Sequence, residues 1–194
     1  MVKAIIAEYR YPVKAYVYEK EKDVKKILLS LCLAMLAGIS AFAADPVVGL
    51  WKSVDEQGKT TAAWRIYESA GLLFGEIVTV PNQGEDILAV SCKPSYKDFP
   101  VAGDVRKMKI LGTPFIFNLK QKAAGQWADG SIIDPKDGKL YKCKITFHPA
   151  DGKKYPVDTL EMRGEIGMGI GRSQEWVATD DAEIDALRRL PKTK

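Results

Sequence analysis

Short stretches in which apolar and polar residues alternate make up most of the chain beyond residue 45. The clearest runs from 141 to 148, YKCKITFH, with apolar side chains at the odd positions and polar side chains at the even positions. Because successive side chains of a β-strand point to opposite faces, this pattern predicts a strand with one buried and one wet face. Turn-forming residues flank the run, since Pro135 and Gly138 precede it and Gly152 follows it.

The same pattern predicts nine strands, separated by clusters of glycine, proline and small polar residues. They span residues 48–54, 62–68, 72–80, 101–110, 115–120, 126–133, 141–148, 159–166 and 172–178. So many short antiparallel strands favour closure into a barrel over an open sheet with exposed edges. We therefore predict an all-β, antiparallel up-and-down barrel of eight or nine strands over residues 45–180. The longest irregular connection, residues 81–100, is expected to form a loop at the barrel rim.

One helix is predicted, within the segment 181–194 at the end of the chain. Asp180 is suited to cap its first turn, and Glu183 stands three residues later at the reciprocal capping position. Ile184 and Leu187 supply apolar helix formers. We expect this short helix to pack on the outside of the barrel.

Residues 24–44 have the features of a secretory signal peptide. Lys25 and Lys26 precede an uncharged apolar run that ends in the small-residue sequence AFAA. The run is short for a membrane span and contains polar residues, so we expect cleavage, export to the periplasm or beyond, and no stable membrane span afterwards. Residues 1–23 carry mixed charge that no signal peptide needs, and we interpret them as a wrongly assigned extension, with Val24 as the natural start.

Most of the positive charge lies in the part of the chain that precedes the predicted barrel. The whole chain has a formal net charge of +4, and residues 1–26 hold seven basic and four acidic residues. From Ala44 onward, 22 basic residues stand against 21 acidic ones. Because no basic excess remains, we do not expect binding to nucleic acid or to a charged membrane surface.

Two cysteines, Cys92 and Cys143, remain after the predicted cleavage. Export would place them in an oxidising compartment, where a disulfide between them would close a loop of about 50 residues and add roughly 4 kcal/mol of stability. In the alternative, both thiols stay free, with Cys143 buried among the apolar residues of its strand. The sequence leaves both alternatives open.

Residues that carry catalysis are largely missing. His148, the single histidine of the sequence, stands at the polar end of a predicted strand, which argues against a histidine-dependent triad or a multi-histidine metal site. No serine has the glycines of a nucleophile elbow, and the glycine-rich run 167–171 leads into a strand rather than a helix. Glu76 and Asp129 share strand faces with apolar residues, so one of them could point into a cavity and bind a ligand. We favour the alternative, in which they pair with Arg65 or Arg163. We therefore predict no enzyme activity, no cofactor and no bound metal.

Six short motifs stand out along the predicted barrel. They are GLW at 49–51, RIY at 65–67, GEI at 75–77, IDP at 133–135 with GKLYKCK at 138–144, RGEIG at 163–167, and GRSQEW at 171–176. Together they resemble the DUF2147 family of exported bacterial proteins, which implies a small calycin-like, or lipocalin-like, barrel of undetermined function. In calycin-like barrels an early tryptophan seals one end beneath an arginine of the last strand, and the resemblance assigns Trp51 and Arg172 to this structural latch.

Two functions are compatible with such a barrel. In the first, the barrel holds a small apolar or amphipathic ligand. The aromatic residues expected to line its interior are Trp64, Tyr67, Phe74, Trp127 and Tyr141. In the second, these residues fill the interior as core, and the protein is a structural or interaction module of the cell envelope with a partner protein docked at the rim. A cavity on the order of several hundred Å³ would favour the ligand, and an exposed apolar patch without a cavity would favour the partner.

Overall fold

The computed structural model describes residues 44–167 and 170–192 of the chain. The predicted extension, residues 1–23, and the predicted signal peptide, residues 24–44, lie outside the described residues except for Ala44. Within the described part, no helix has both the length and the apolar character that crossing a membrane requires.

Eight antiparallel strands form a closed barrel in which each strand pairs with its neighbours in sequence. The strands are β1 (Gly49–Val54), β2 (Thr60–Ser69), β3 (Leu72–Thr79), β4 (Ile116–Ala123), β5 (Gln126–Asp134), β6 (Lys139–His148), β7 (Thr159–Glu165) and β8 (Gly171–Ala178). Strand β1 also pairs with β8, with Trp51 opposite Ala178 and Ser53 opposite Trp176, and this pairing closes the barrel. The predicted all-β, up-and-down barrel is confirmed, with eight strands.

The up-and-down topology places consecutive connections at opposite ends of the barrel. The base is the end that carries residues 45–48 and the β2–β3, β4–β5 and β6–β7 connections. The mouth is the end that carries the β1–β2, β5–β6 and β7–β8 turns. The long connection, residues 80–115 between β3 and β4, also lies at the mouth. The barrel therefore has two short turns and the connection between His148 and Thr159 at its base, and the long connection at its mouth.

Large side chains fill the inner face toward the base. Trp51 is buried, its indole N–H donates to the carbonyl oxygen of Val47 at 2.9 Å, and its ring meets that of Phe147 edge-on at 6.2 Å. Trp127 and Leu160 are also buried in this core. The base of the barrel is thus a packed hydrophobic core.

The predicted strand at 101–110 is wrong, because this segment belongs to the long connection and contains a 3-10 helix, Val105–Lys107. The Asp104 side chain caps this helix, so local turn chemistry outweighs the apolar alternation that suggested a strand. Near the end of the segment, Met108 accepts a backbone hydrogen bond from Ala89 at 2.9 Å. The long connection therefore folds back on itself instead of adding a strand to the barrel.

The C-terminal helix α1 (Asp181–Arg188) is present as predicted. Asp180 caps it, since its Oδ1 accepts a hydrogen bond from the backbone N–H of Glu183 at 2.8 Å. The Glu183 carboxylate does not complete the expected reciprocal cap and instead pairs with the Lys52 ammonium on β1 at 2.7 Å. Ile184 is buried, and the Arg188 guanidinium donates to the carbonyl oxygen of Val78 on β3 at 3.4 Å. These contacts hold the helix on the outer wall.

Candidate functional site: a cavity at the barrel mouth

A cavity of about 470 Å³ lies at the barrel mouth, between the strands and the long connection. The strands supply most of its wall, and the long connection supplies its cover. The wall residues include Trp64, Ile77, Ile132, Tyr141, Met162 and Gly164. The covering residues include Val80, Ile87, Leu88, Val90 and Ile110. The lining is therefore mainly apolar.

Trp64 of β2 provides an aromatic surface in this wall. Its ring stacks on that of Trp176, with centroids 4.8 Å apart and planes inclined by 22°. The Trp176 indole N–H donates to Gln174 Oε1 at 3.1 Å. The Trp64 indole N–H is buried and has no hydrogen-bond partner among the described residues. Because an unsatisfied buried donor is costly, this ring edge is a place where an acceptor atom would be stabilising.

Gly164 of β7 leaves open volume in the wall. A Cβ atom at this position would lie 3.5 Å from Tyr141 Cβ and 3.9 Å from Ile132 Cγ2, which are ordinary contact distances. Gly130 on β5 differs, because a Cβ there would lie only 2.5 Å from the backbone N of Leu119. Close approach of the strands thus requires glycine at 130, whereas the glycine at 164 enlarges the cavity.

Polar side chains of β8 stand at the entrance. Arg172 and Gln174 pair with Gly164 and Met162 of β7, and all four residues line the cavity. This agrees with the rule that directly opposite residues of antiparallel strands share a face. The Arg172 guanidinium reaches toward the β1–β2 turn, where its Nη2 lies 3.7 Å from Glu56 Oε1. The entrance therefore combines a cation and an amide with an apolar interior.

The β5–β6 turn holds the long connection at the mouth. The Tyr96 hydroxyl donates to the carbonyl oxygen of Gly138 at 2.7 Å. Gly138 has a φ of +66°, and a Cβ there would lie 2.2 Å from the carbonyl oxygen of Ser91 and 2.8 Å from Cys92 Cα. Glycine is needed at this position both for its backbone conformation and for the close approach of the connection.

Of the five aromatic residues predicted to line the interior, Trp64 and Tyr141 line the cavity. Trp127 is buried in the core but does not line it. The prediction for Tyr67 and Phe74 is wrong, because they lie opposite each other on β2 and β3 and stack on the outer face, with centroids 5.8 Å apart. Tyr67 is three residues from Trp64, and an odd separation along a strand reverses the face.

The predicted latch between Trp51 and Arg172 is also wrong. Trp51 lies opposite Ala178, and Arg172 is six residues earlier on the same strand, about 20 Å away at the usual rise per residue. Trp51 packs toward the base, against Phe147, whereas Arg172 lies at the mouth. The tryptophan is held by its hydrogen bond to Val47 rather than by a stacked cation.

Cys92 and Cys143 do not form the disulfide that the sequence left open, and both thiols are free and buried. Cys143 is central in β6, opposite Gly164 of β7, whereas Cys92 lies beside Gly138, just before β6 begins. Gly138 and Cys143 are five residues apart, about 17 Å along a strand, which is well beyond the roughly 7 Å that a disulfide spans between Cα atoms. Burial raises the pKa of both thiols, which favours their protonated form.

A cluster of polar side chains on the outer face has the residue types of a hydrolytic triad but not its arrangement. Ser173 Oγ donates to one carboxylate oxygen of Glu161 at 2.8 Å, and His148 Nε2 lies 3.4 Å from the other. The hydrogen bond from Ser173 lowers the pKa of Glu161. The carboxylate therefore separates serine from histidine, and the His148 ring stacks on Tyr155 at 4.4 Å.

The strand carboxylates pair with cations outside the barrel. Glu76 Oε1 lies 3.0 Å from Arg65 Nη1, as expected, and Asp129 pairs with Lys122. Within residues 44–167 and 170–192, no three histidine, cysteine or acidic side chains come together in a way that would hold a metal ion. The mouth cavity is thus the feature of the described barrel best suited to binding.

Sequence reasoning missed the contributions of Gly164, Gln174 and the apolar residues of the long connection. For Gln174 a signal was present, because strand alternation puts residues 172 and 174 on the same face as the buried Trp176. For Ile87 and Leu88 no periodic signal existed, since they lie in irregular structure.

The fold and cavity can be set beside known proteins. A family model described as "Uncharacterized protein conserved in bacteria (DUF2147)" matches residues 49–178. A solved structure described as "Protein HP1028 from the human pathogen Helicobacter pylori belongs to the lipocalin family" is similar with a TM-score of 0.55 and 15% identity. The similarity covers 78% of this chain and 94% of that one. The comparison with curated proteins finds no match. At this identity the structural similarity shows the fold alone, a lipocalin-like barrel.

Proposed function

The chain belongs to the DUF2147 family, and from that premise we propose that it binds a small amphipathic ligand in the cavity at the barrel mouth. The observation that carries this proposal is the cavity volume of about 470 Å³. Pockets that hold small molecules measure roughly 300–1,000 Å³ and are mostly apolar with a few polar groups. A barrel filled completely by its own side chains would leave no such space.

The ligand's apolar part lies against the aromatic and aliphatic wall. The Trp64 ring lines the cavity and stacks on Trp176, so it presents a flat aromatic surface that is held in place. Ile132 and Met162 offer flexible aliphatic contacts. Burial of apolar ligand surface against these residues supplies the main driving force, about 25 cal/mol per Å². The polar end stays near Arg172 and Gln174 at the entrance, where water remains accessible.

The second candidate, an envelope interaction module with a filled barrel, has weaker support. Val90, Ile166 and Ile170 are exposed apolar residues near the mouth and would suit a docked protein. The open cavity beneath them is unexplained by docking alone, so ligand binding is the better account. In either case we propose that the protein acts after export, in the periplasm or outside the cell, because residues 24–44 have the features of a cleaved signal peptide.

Substitution of Gly164 tests the ligand proposal. Gly164→Leu places an isobutyl group in the cavity, whereas Gly164→Ala adds one methyl group at ordinary contact distance and serves as the matched control. The neutral fluorescent probe N-phenyl-1-naphthylamine reports binding through its enhanced emission. We expect the leucine variant to bind the probe about tenfold more weakly, equivalent to roughly 1.4 kcal/mol, and the alanine variant to bind as the wild type does.

Circular dichroism and urea unfolding establish that both Gly164 variants keep the barrel fold. A wild-type protein that does not enhance the probe's emission would contradict the proposal. Equal affinity of the wild type and a folded leucine variant would also contradict it, because the probe would then bind elsewhere.

A further inference from the structure

Arg172 stands on the inner side of the barrel at the cavity mouth, although its side chain is 83% exposed. It lies directly opposite Gly164, and a Cβ atom on Gly164 would point toward Tyr141 and Ile132 of the cavity wall. Because opposite residues on antiparallel strands share a face, the Arg172 side chain leaves the wall on the cavity side. A positive charge therefore lies at the point where a ligand enters.

The observed ion pair of Arg172 is loose. Its Nη2 is 3.7 Å from Glu56 Oε1, and both side chains are more than four-fifths exposed. On the outer wall, Arg65 and Glu76 approach to 3.0 Å. A separation of 3.7 Å exceeds hydrogen-bond length, so water competes effectively with Glu56 for the guanidinium. A carboxylate presented from the cavity would replace Glu56 at little cost.

The other polar residues that line the cavity are Ser53, Thr61, Gln83, Ser91, Asp134, Lys136 and Gln174. The Ser53 and Thr61 hydroxyls hydrogen-bond each other at 2.8 Å. Asp134 and Lys136 belong to the β5–β6 turn, and Asp134 Oδ1 accepts a hydrogen bond from the backbone N–H of Lys136 at 2.9 Å. The Asp134 carboxylate thus stabilises the turn. Gln174 Oε1 accepts from the Trp176 indole, which leaves its amide NH₂ as the donor available to a ligand. The entrance therefore presents two cations, Arg172 and Lys136, and the Gln174 amide, together with one carboxylate, Asp134, that accepts a hydrogen bond within the turn.

We infer that the ligand is an anionic amphiphile, an acyl chain or similar apolar body that ends in a carboxylate, with Arg172 as the residue that binds the headgroup. This inference rests on the proposed ligand-binding function. A guanidinium binds a carboxylate through two parallel hydrogen bonds, and such charge-assisted bonds are stronger than neutral ones. The apolar wall near Trp64 receives the chain, while Arg172 holds the headgroup close to solvent.

Three amphiphiles of equal chain length test the inference by displacing N-phenyl-1-naphthylamine below their micelle-forming concentrations at pH 8. They are dodecanoate, dodecanol and dodecyltrimethylammonium. We expect dodecanoate to bind most tightly and dodecyltrimethylammonium most weakly. Arg172→Gln should weaken dodecanoate binding about tenfold and leave dodecanol unchanged. Glu56→Gln, which removes the competing carboxylate, should strengthen dodecanoate binding about twofold.

Arg65→Gln is the matched control, since it removes a cation from the outer wall and should change none of the three affinities. If dodecanol and dodecanoate bind equally well, or if Arg172→Gln weakens both to the same extent, the headgroup inference is overturned while ligand binding stands. If the probe binds but none of the three displaces it, the amphiphile inference is overturned; if the probe does not bind the wild-type protein at all, the proposed ligand-binding function itself is overturned.

Discussion

Asp45 ties the beginning of the barrel to a turn on the opposite side of its base. Its Oδ1 accepts a hydrogen bond from the backbone N–H of Val47 at 3.0 Å. Its Oδ2 accepts from the backbone N–H of Gly125 at 2.9 Å and from Gln121 Nε2 at 2.8 Å. Burial alone would raise the pKa of Asp45, but these hydrogen bonds outweigh burial and lower it. The charged form of this carboxyl therefore stabilises the folded barrel.

Asp45→Asn is expected to destabilise the barrel by about 1 kcal/mol at pH 7, because an amide NH₂ would face the donors of Gly125 and Gln121. The folded pKa is lowered, so the charged carboxyl contributes fully above the unfolded pKa of about 4, and this contribution is lost as pH falls through the folded value. The difference between wild type and variant should therefore shrink below about pH 4. Urea unfolding at pH 7 and at pH 3 measures it, and a difference independent of pH would contradict the assignment.

Single residues show which site features strand alternation can predict. Trp64, Gln174 and Trp176 follow the two-residue period and face inward together with Arg172. Tyr67 is three residues from Trp64 and therefore lies on the opposite face of the strand, so its outward position could have been predicted from the sequence. The role of Gly164 was not, because whether a glycine opens space or avoids a clash depends on neighbouring strands that only the fold brings together.

The long connection is the element that turns the open end of the barrel into a covered cavity. Its two limbs pair through the backbone, with Ile110 N donating to Ile87 O at 2.8 Å. Lys109 and Asp86 add an ion pair at 2.8 Å, although both are largely exposed and it contributes little. The attachment at Gly138, where no side chain fits, is one of the contacts that position this cover, together with the hydrogen bond from Gly112 N to Ile77 O at 2.9 Å.

Gly138→Ala is expected to loosen the cover, and Gly152→Ala is its matched control. Both glycines have a positive φ near +66°, but a Cβ at 152 meets nothing within 4 Å, whereas a Cβ at 138 collides with Ser91. The control should therefore lose only about 1 kcal/mol from backbone strain, and Gly138→Ala about 2–4 kcal/mol. Urea unfolding gives both values, and hydrogen exchange should accelerate over residues 87–110 in the Gly138 variant alone. Equal losses in the two variants would contradict this role for the β5–β6 turn.

At the scale of the elements, the strands of the barrel could be predicted because clusters of turn-forming residues separate the alternating stretches. The prediction failed at 101–110, where Met108 and Ile110 alternate with lysines but Asp104 caps a 3-10 helix. Local hydrogen bonding of a short polar side chain competes with strand pairing, and a single sequence does not show which of them prevails. The same limit applies to Glu183, which forms an ion pair with Lys52 instead of completing its cap.

For the whole molecule, barrel closure could be predicted and the cavity could not. Closure follows from the number of strands and their period, and the eight-strand barrel with α1 on its wall agrees with that prediction. The cavity volume of about 470 Å³ is the small space left between wall and cover. The volume of this space depends on the packing of many side chains and on the fold of the long connection. Neither of these follows from a periodic pattern in the sequence.

Export and cleavage of the signal peptide concern the whole molecule and can be tested directly. We expect the full chain, produced in a Gram-negative bacterium, to be recovered from the periplasm or medium with a new amino terminus at Ala44 or Asp45, read by mass spectrometry. Small residues are required at the cleavage site, so replacing Ala43 and Ala44 with lysine should leave the precursor uncleaved. Replacing both with glycine should still allow cleavage. A mature protein beginning near Asp45 keeps the three hydrogen bonds of that carboxyl at the base of the barrel. Recovery of the wild-type protein from the cytoplasm with residues 24–43 still attached would contradict export, and peptides from residues 9–20 in extracts of the cells that naturally make the protein would contradict the start at Val24.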